Sequence, residues 1–336
     1  MVRTGRRELD IMRVLALVPG GIDNQILFFP TIRRLQDIFP KADINVVVEP
    51  EAKDAYQLSK LVKEVIPYSF QTRNSPADWA NLLGVIRDRE FDVAITLTQS
   101  WSIGLLLWLS GVPTRIGYAG GANSLFLTCT LPLKKNQYLA EQYHDLLAGL
   151  DAPGSCPEPS LNVAQSDLAW ADRVRQQAGL GEQGYVLLYP GPATAFSSSK
   201  TPDTYPVESW GTILKDLQTR QPDLPLAVIQ TSETFDTLAA LNQTMPGLKA
   251  LKPETIGQFA ALIAGANLFL STDSYPLYLA VALKVFSLGL FGANHPDSNL
   301  PSAQGGNTRF LGVVSTSGKV ADIPPATVLK KIWNES

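Results

Sequence analysis

Three stretches carry residues that could act on a ligand. The first is VPGGIDNQILFFP (18–30), where Gly20 and Gly21 follow an apolar run and Asp23 and Asn24 open an amphipathic segment. Glycines at a strand-to-helix turn let backbone N–H groups face an anion or a polar substrate. A carboxylate there can take a proton, and the helix dipole keeps it ionised, which makes Asp23 an available but weak base. Asn24 cannot serve as a base. Both residues also suit a helix N-cap, and the two glycines also suit a plain tight turn. No glycine occupies positions 22 to 25, so the turn lacks the GxGxxG of a dinucleotide site, and an epimerase or dehydrogenase reading loses its main support.

The second stretch is STDSYPLYLAVAL (271–283). A strand ends at Asp273-Ser274 and a helix opens near Pro276, a favoured first-turn residue. Asp273 either caps that helix, or the N–H groups around Ser274 to Leu277 receive a diphosphate. The third is YPGPATAFSSSKTPDTYPVESW (189–210), rich in hydroxyls such as Thr194 and carrying one cation, Lys200. A compact ammonium among hydroxyls suits phosphate oxygens; a solvated loop is the plain alternative.

Other polar and aromatic residues offer less. His144 and His295 stand apart without the cysteine or carboxylate spacing of a metal site, so no metal is expected. His144 reads as a hydrogen-bonded core histidine, and His295 as a weak contact beside a strand end. Trp101, Trp108 and Tyr118 read as core, with stacking on a sugar or base as the alternative.

The elements that must position these residues alternate between strand and helix. RVLALV (13–18), INVVVE (44–49), VKEVIPY (62–68), FDVAITL (91–97) and RIGYA (115–119) read as strands, with helices through Phe39 and over 78–90, 102–111 and 139–150. DAPGSCPEPSLNV (151–163) breaks the pattern as a linker. A second series follows a short helix at 166–178: strands at 185–191, 225–231, 267–272 and 285–292, helices at 207–220, 256–266 and 276–283. The expectation is an α/β protein with two parallel sheets, split at 1–155 and 156–336. Ligands in such sheets sit beyond the carboxyl ends of the strands, which places the expected site in a cleft between the domains. The closing segment IPPATVLKKIWNES reads as a helix docking on the other domain, with a membrane-facing patch as the alternative.

Composition sets outer limits. The 336 residues are 45% apolar and 18% charged, with a formal charge of −3, so the chain can bury a large core and gives no reason to expect a nucleic-acid partner. Two cysteines make no disulfide framework, and a reducing, cytoplasmic setting fits. No apolar run of membrane-spanning length occurs, so no spanning helix is expected, and the basic start without an apolar stretch behind it leads us to expect no signal peptide. Arg3, Arg6 and Arg7 read as a flexible basic tail, or as a weak peripheral attraction to the anionic inner face of a membrane.

Taken in order, VPGGIDNQILFFPTIRRLQDIFPKADI, YPGPA…K…YPVESW and IGQFAALIAGANLFLSTDSYPLYLAVAL…LFG resemble glycosyltransferase family 9, the ADP-heptose:lipopolysaccharide heptosyltransferases, and so do RIGY and YHDLL. The resemblance implies a GT-B fold, with an acceptor-side first domain and a donor-side second domain. It implies inverting transfer of a sugar from a nucleotide sugar to a glycan or lipid-linked acceptor, without metal or other cofactor. It also implies that Thr194, Lys200, Asp273, Ser274, Tyr275 and Tyr278 hold the donor. The family's turn carries Gly-Asp with the aspartate six residues before the helix proline; counted back from Pro30 that place is Asn24, and Asp23 takes the glycine's place. One residue on a helix swings a side chain by about 100°. Tyr275 replaces a glycine of the family's D-[ST]-G-x-x-H pattern, Tyr278 its histidine, and Tyr189 the histidine before Pro-Gly. A non-catalytic relative that binds a nucleotide, a glycan or a protein partner is therefore the alternative expectation.

Overall fold

A computed structural model describes residues 11–70, 75–181, 184–195, 203–301 and 309–334. The chain clusters into two compact units: Met1–Lys135 with Ala140–Glu158, and Asn136–Leu139 with Pro159–Ser336.

The first unit runs β1 (Arg13–Val18), α1 (Ile22–Ile38), β2 (Asp43–Val48), a 3-10 segment (Pro50–Leu58), β3 (Glu64–Pro67), α2 (Pro76–Asp88), β4 (Val93–Thr96), α3 (Trp101–Ser110), β5 (Thr114–Tyr118), a 3-10 turn (Ala122–Phe126) and β6 (Cys129–Leu131). It closes with α4 (Leu139–His144) and a further 3-10 segment (Asp145–Leu150). The strands form one parallel sheet in the order β3-β2-β1-β4-β5-β6. Val14 to Val18 are all buried, as expected of a central strand covered on both faces. Ser75 and Asp78 start α2 with a reciprocal capping box, and Gly111 ends α3 at φ +80°, where a side chain would be strained. The segment expected as one helix over 139–150 tightens to 3-10 geometry after His144, where it packs on β5 and β6; a Cβ on Gly149 would come within 2.9 Å of the Ile116 side chain.

The second unit runs α5 (Gln165–Gln177), β7 (Val186–Tyr189), α6 (Val207–Arg220), β8 (Leu226–Ile229), α7 (Phe235–Thr244), β9 (Lys249–Leu251), α8 (Ile256–Ala264), β10 (Leu268–Thr272), α9 (Tyr275–Ala282), β11 (Ser287–Phe291), α10 (Pro296–Asn299), β12 (Phe310–Val314) and α11 (Pro325–Trp333). Its parallel sheet has the order β12-β11-β10-β7-β8-β9. Counted within each unit, both sheets are therefore wound 3-2-1-4-5-6, although the sequence shows no repeat. The sequence reading misses β6 and β9, which are short, half-exposed edge strands without an apolar run, as well as β12 and α7.

The closing helix α11 packs on α6 and β12 of its own unit. Trp333 Nε1 donates to Asp216 Oδ2 at 2.7 Å, and the Arg220 guanidinium lies 5.2 Å from the Trp333 ring centroid. Leu329 and Ile332 join the same core, so the apolar side of α11 is used up locally.

Candidate active site

The turn after β1 is held by residues that the sequence did not single out. Gln25, fully buried, donates Nε2 to the Val18 carbonyl at 3.0 Å and accepts from the Tyr56 hydroxyl at 2.8 Å. The last carbonyl of β1 is thus paired without leaving the helix start to chance. Asn24 Nδ2 donates to the Tyr143 hydroxyl at 2.9 Å, so α4 closes over the turn. Asp23 is 5% exposed in the first turn of α1. Burial, followed by the charge of Asp23, pushes the Tyr143 hydroxyl up to about 12, although the bond from Asn24 pulls the other way.

Gly20 and Gly21 have a packing reason to be glycine. Gly20 sits at φ +99°, and a Cβ there would come within 2.3 Å of Asn24 Oδ1; a Cβ on Gly21 would come within 2.5 Å of Asp23 Oδ1. Both Asp23 and Asn24 therefore fold back over the turn, and the shift of one residue does not carry the acid away from it. Gly20→Ala should cost about 1–3 kcal/mol through the strained φ and the clash with Asn24. Urea unfolding would measure this, with Gly84→Ala, in open space on α2, as a control expected to be neutral or stabilising.

In the second unit, the carboxyl ends of β7 and β10 are tied into one block. Asp273 is 1% exposed, and both its oxygens are engaged: Tyr278 donates its hydroxyl to Oδ1 at 2.6 Å, and Asn294 Nδ2 donates to Oδ2 at 2.6 Å. Asn294 also donates to the Ala195 carbonyl at 2.9 Å, and Ala195 N donates to the Asp273 carbonyl at 3.1 Å. Thr272 Oγ1 reaches the Gly191 carbonyl at 2.8 Å, and the hydroxyls of Ser271 and Ser274 are 3.1 Å apart. The side chains of Asp273, Ser274 and Tyr278 thus hold the loop from within. Thr194 is exposed, and Tyr275 is half-buried at the first position of α9. Lys200 lies outside the described residues.

Aromatic rings line the same end of the sheet. Tyr189, Phe259 and Tyr275 follow one another with centroid separations of 5.7 and 5.8 Å, the second pair edge-to-face. Tyr189 donates its hydroxyl to Glu233 at 2.6 Å; burial and then the Glu233 carboxylate raise the Tyr189 pKa far above the usual tyrosine range. A Cβ on Gly191 would lie 2.4 Å from the Tyr189 ring, so that glycine makes room for the substituted tyrosine. Asn294 and Glu233 are the partners that sequence reasoning missed; each is remote in the chain from the residue it serves.

The remaining candidates separate clearly. His144 is buried in the core, but its Nε2 has no hydrogen-bond partner among the described residues, and burial, ahead of the opposing charge of Asp145, holds its pKa below the usual histidine value. His295 is an exposed cap of α10. Tyr118 is core, its hydroxyl donating to the Gln142 carbonyl at 3.0 Å. Trp101 and Trp108, expected in the core, are 58% and 54% exposed because the opposite side of α3 fills it. A groove of about 980 Å³ lined by Arg13, Asp43, Lys63 and Asp92 opens at the amino ends of the first sheet, the end away from the usual ligand side. No cluster with metal-binding composition occurs among the described residues, and none of their helices is long and apolar enough to cross a membrane.

Comparison with known proteins gives this arrangement its context. The chain is 22% identical over 343 residues to the photosynthetic NDH subunit of subcomplex B 1, chloroplastic, of Arabidopsis thaliana, covering 95% of this chain and 72% of that one. It is 23% identical over 286 residues to lipopolysaccharide heptosyltransferase 3 of Escherichia coli, with 80% of each covered. The structure of E. coli ADP-heptose lps heptosyltransferase II superposes with a TM-score of 0.74 at 20% identity, over 96% of this chain and 98% of that one, so the fold is GT-B. The model of glycosyltransferase family 9 (heptosyltransferase) matches residues 79–308, more than half of the sequence. This chain belongs to glycosyltransferase family 9.

Proposed function

We propose that the chain transfers a sugar from a nucleoside diphosphate sugar to a glycan or lipid-linked acceptor, with inversion and without a metal. The observation that carries this reading is the position of Asp23: although displaced by one residue from the family's acid, its carboxylate folds back onto the turn at the carboxyl end of β1. The acceptor oxygen attacks the anomeric carbon, the bond from that carbon to the diphosphate oxygen breaks, and the acceptor proton passes to Asp23. The positive end of α9 and the exposed Thr194 hydroxyl stabilise the departing diphosphate. The first unit takes the acceptor and the second the donor. Heptosyltransferase relatives support an ADP-sugar as the first donor to try. Cytoplasmic placement, with peripheral contact at the inner face of the membrane, belongs to the same proposal.

A second reading has specific support. The family's acid position is an amide bonded to Tyr143, both oxygens of Asp273 are taken up by Tyr278 and Asn294, and an aromatic row lies beside α9. The Arabidopsis relative, which covers nearly the whole chain, carries the name of a complex subunit. On this reading the chain is a non-catalytic member that binds a nucleotide, a glycan or a protein partner. A thermal-shift panel of ADP- and UDP-sugars separates the two. At a hundredfold excess over Kd, a working donor site should raise the unfolding midpoint by roughly 4 °C. A panel that stays silent when widened to GDP- and dTDP-sugars removes the transferase and nucleotide readings and leaves a glycan or protein partner.

A further inference from the structure

Helix α3 is apolar on every side. No Asp, Glu, Lys or Arg occurs between Asp92 and Arg115. Ile103, Gly104, Leu106 and Leu107 face the core. Trp101, Leu105, Trp108 and Leu109 recur at i, i+4, i+7 and i+8 on the other side, a single helical stripe. The 3-10 turn at 122–126 lies tight against this helix because Gly104 has no side chain: a Cβ there would come within 2.9 Å of Asn123 Cα. The Phe126 ring is 6.4 Å from Trp108, and the adjoining Leu125 is 85% exposed, so the turn extends the stripe into a patch.

The size of the patch suggests its use. With large aromatic side chains spanning about 150–250 Å², exposures of 58% and 54% for Trp101 and Trp108, 43% for Leu109 and 85% for Leu125 amount to roughly 400–500 Å² of apolar surface. That is the size of the largest patch on an ordinary monomer, which often has a function. A stable interface buries about 800 Å² per partner, and a homodimer interface is about 65% apolar, which is roughly 500 Å². The patch matches the apolar core of one such interface.

We propose that α3 and the turn at 122–126 form a self-complementary interface with a second copy of this chain, the two α3 helices packing antiparallel about a twofold axis. A stripe without charge meets its own copy without like-charge conflict, and a twofold brings Trp101 of one copy toward Trp108 of the other. A membrane surface is disfavoured by the same chemistry. The cation that follows the stripe, Arg115, is committed to the carbonyls of Phe126, at 2.7 Å, and Val112, and so is not available to hold an anionic headgroup.

Sedimentation velocity on the full chain tests the proposal. A reversible dimer is expected at micromolar concentration, with tryptophan emission moving to longer wavelength on dilution. Trp108→Lys and Leu125→Lys should each weaken dimerisation by roughly 30-fold or more, as for an anchor at an interface centre. Both side chains are exposed in the single chain, so far-UV circular dichroism and the unfolding midpoint of each variant under monomeric conditions should match the parent; that control keeps misfolding apart from lost pairing. A monomer at every concentration overturns the proposal, as does a dimer that neither variant weakens. A monomer that floats with phosphatidylcholine–phosphatidylglycerol vesicles, and fails to do so as Trp108→Lys, also overturns it, in favour of a membrane contact.

Discussion

Asp23→Asn is expected to lower sugar transfer by about 10²–10⁴-fold while leaving the thermal shift given by the nucleotide sugar unchanged. The reason is local. Asparagine keeps the shape that fits against Gly21 but cannot take the acceptor proton. The complementary variant, Asn24→Asp, reverses a hydrogen bond: the amide now donates to Tyr143, whereas a carboxylate would accept from it. It also sets a second negative charge beside Asp23, so one of the two acids takes up a proton more readily. If the turn is the catalytic site, Asn24→Asp should raise transfer, because it restores an acid at the family's position. Assays of product formation with Asp23→Asn and Asn24→Asp together decide the matter. Transfer that neither substitution alters would take the turn out of the mechanism.

Asp273→Ala is expected to destabilise the protein by about 3–5 kcal/mol. The carboxylate is the common acceptor of two donors, the Tyr278 hydroxyl and the Asn294 amide, and alanine takes that acceptor from both, leaving Asn294 with the Ala195 carbonyl alone. Asn294 is in turn bonded to Ala195, so the loss loosens the 189–195 loop where it meets β10. Tyr278→Phe removes one donor and takes one bond from the Asp273 carboxylate, which keeps Asn294, and should cost less, about 1–3 kcal/mol. Urea unfolding of both variants measures the difference. Equal costs would show that Asp273 does not organise the loop. In family terms, Tyr278 stands where the resemblance implies a histidine; here its hydroxyl reaches Asp273 from five residues further along, at the start of α9.

Much of the frame was legible from local pattern. β1 is matched residue for residue by RVLALV, whose five residues after the exposed Arg13 are apolar and buried because both faces of the strand are covered. The strand ends, and with them the turns at Gly20 and Gly191, follow from where those runs stop. The edge strands β6 and β9 were not legible, since a short strand with one covered side carries little apolar signal. Nor does the sequence reveal that the two halves share one winding order: topology is conserved by packing rules and needs no similarity of residues.

The sequence alone determined the succession of strands and helices, the glycine turns, and the substitutions that set this chain apart: an amide at the family's acid position, and tyrosines at 189, 275 and 278. These are properties of neighbouring residues, and a chain carries them whether or not it is folded. Only the tertiary structure decided what those residues do. It set Tyr143 against Asn24, Glu233 against Tyr189 and Asn294 against Asp273, pairs separated by 119, 44 and 21 residues. It also decided that Trp101 and Trp108 face outward, because a helix apolar all round has no periodicity to mark its buried side, and only the sheet beneath it makes that choice.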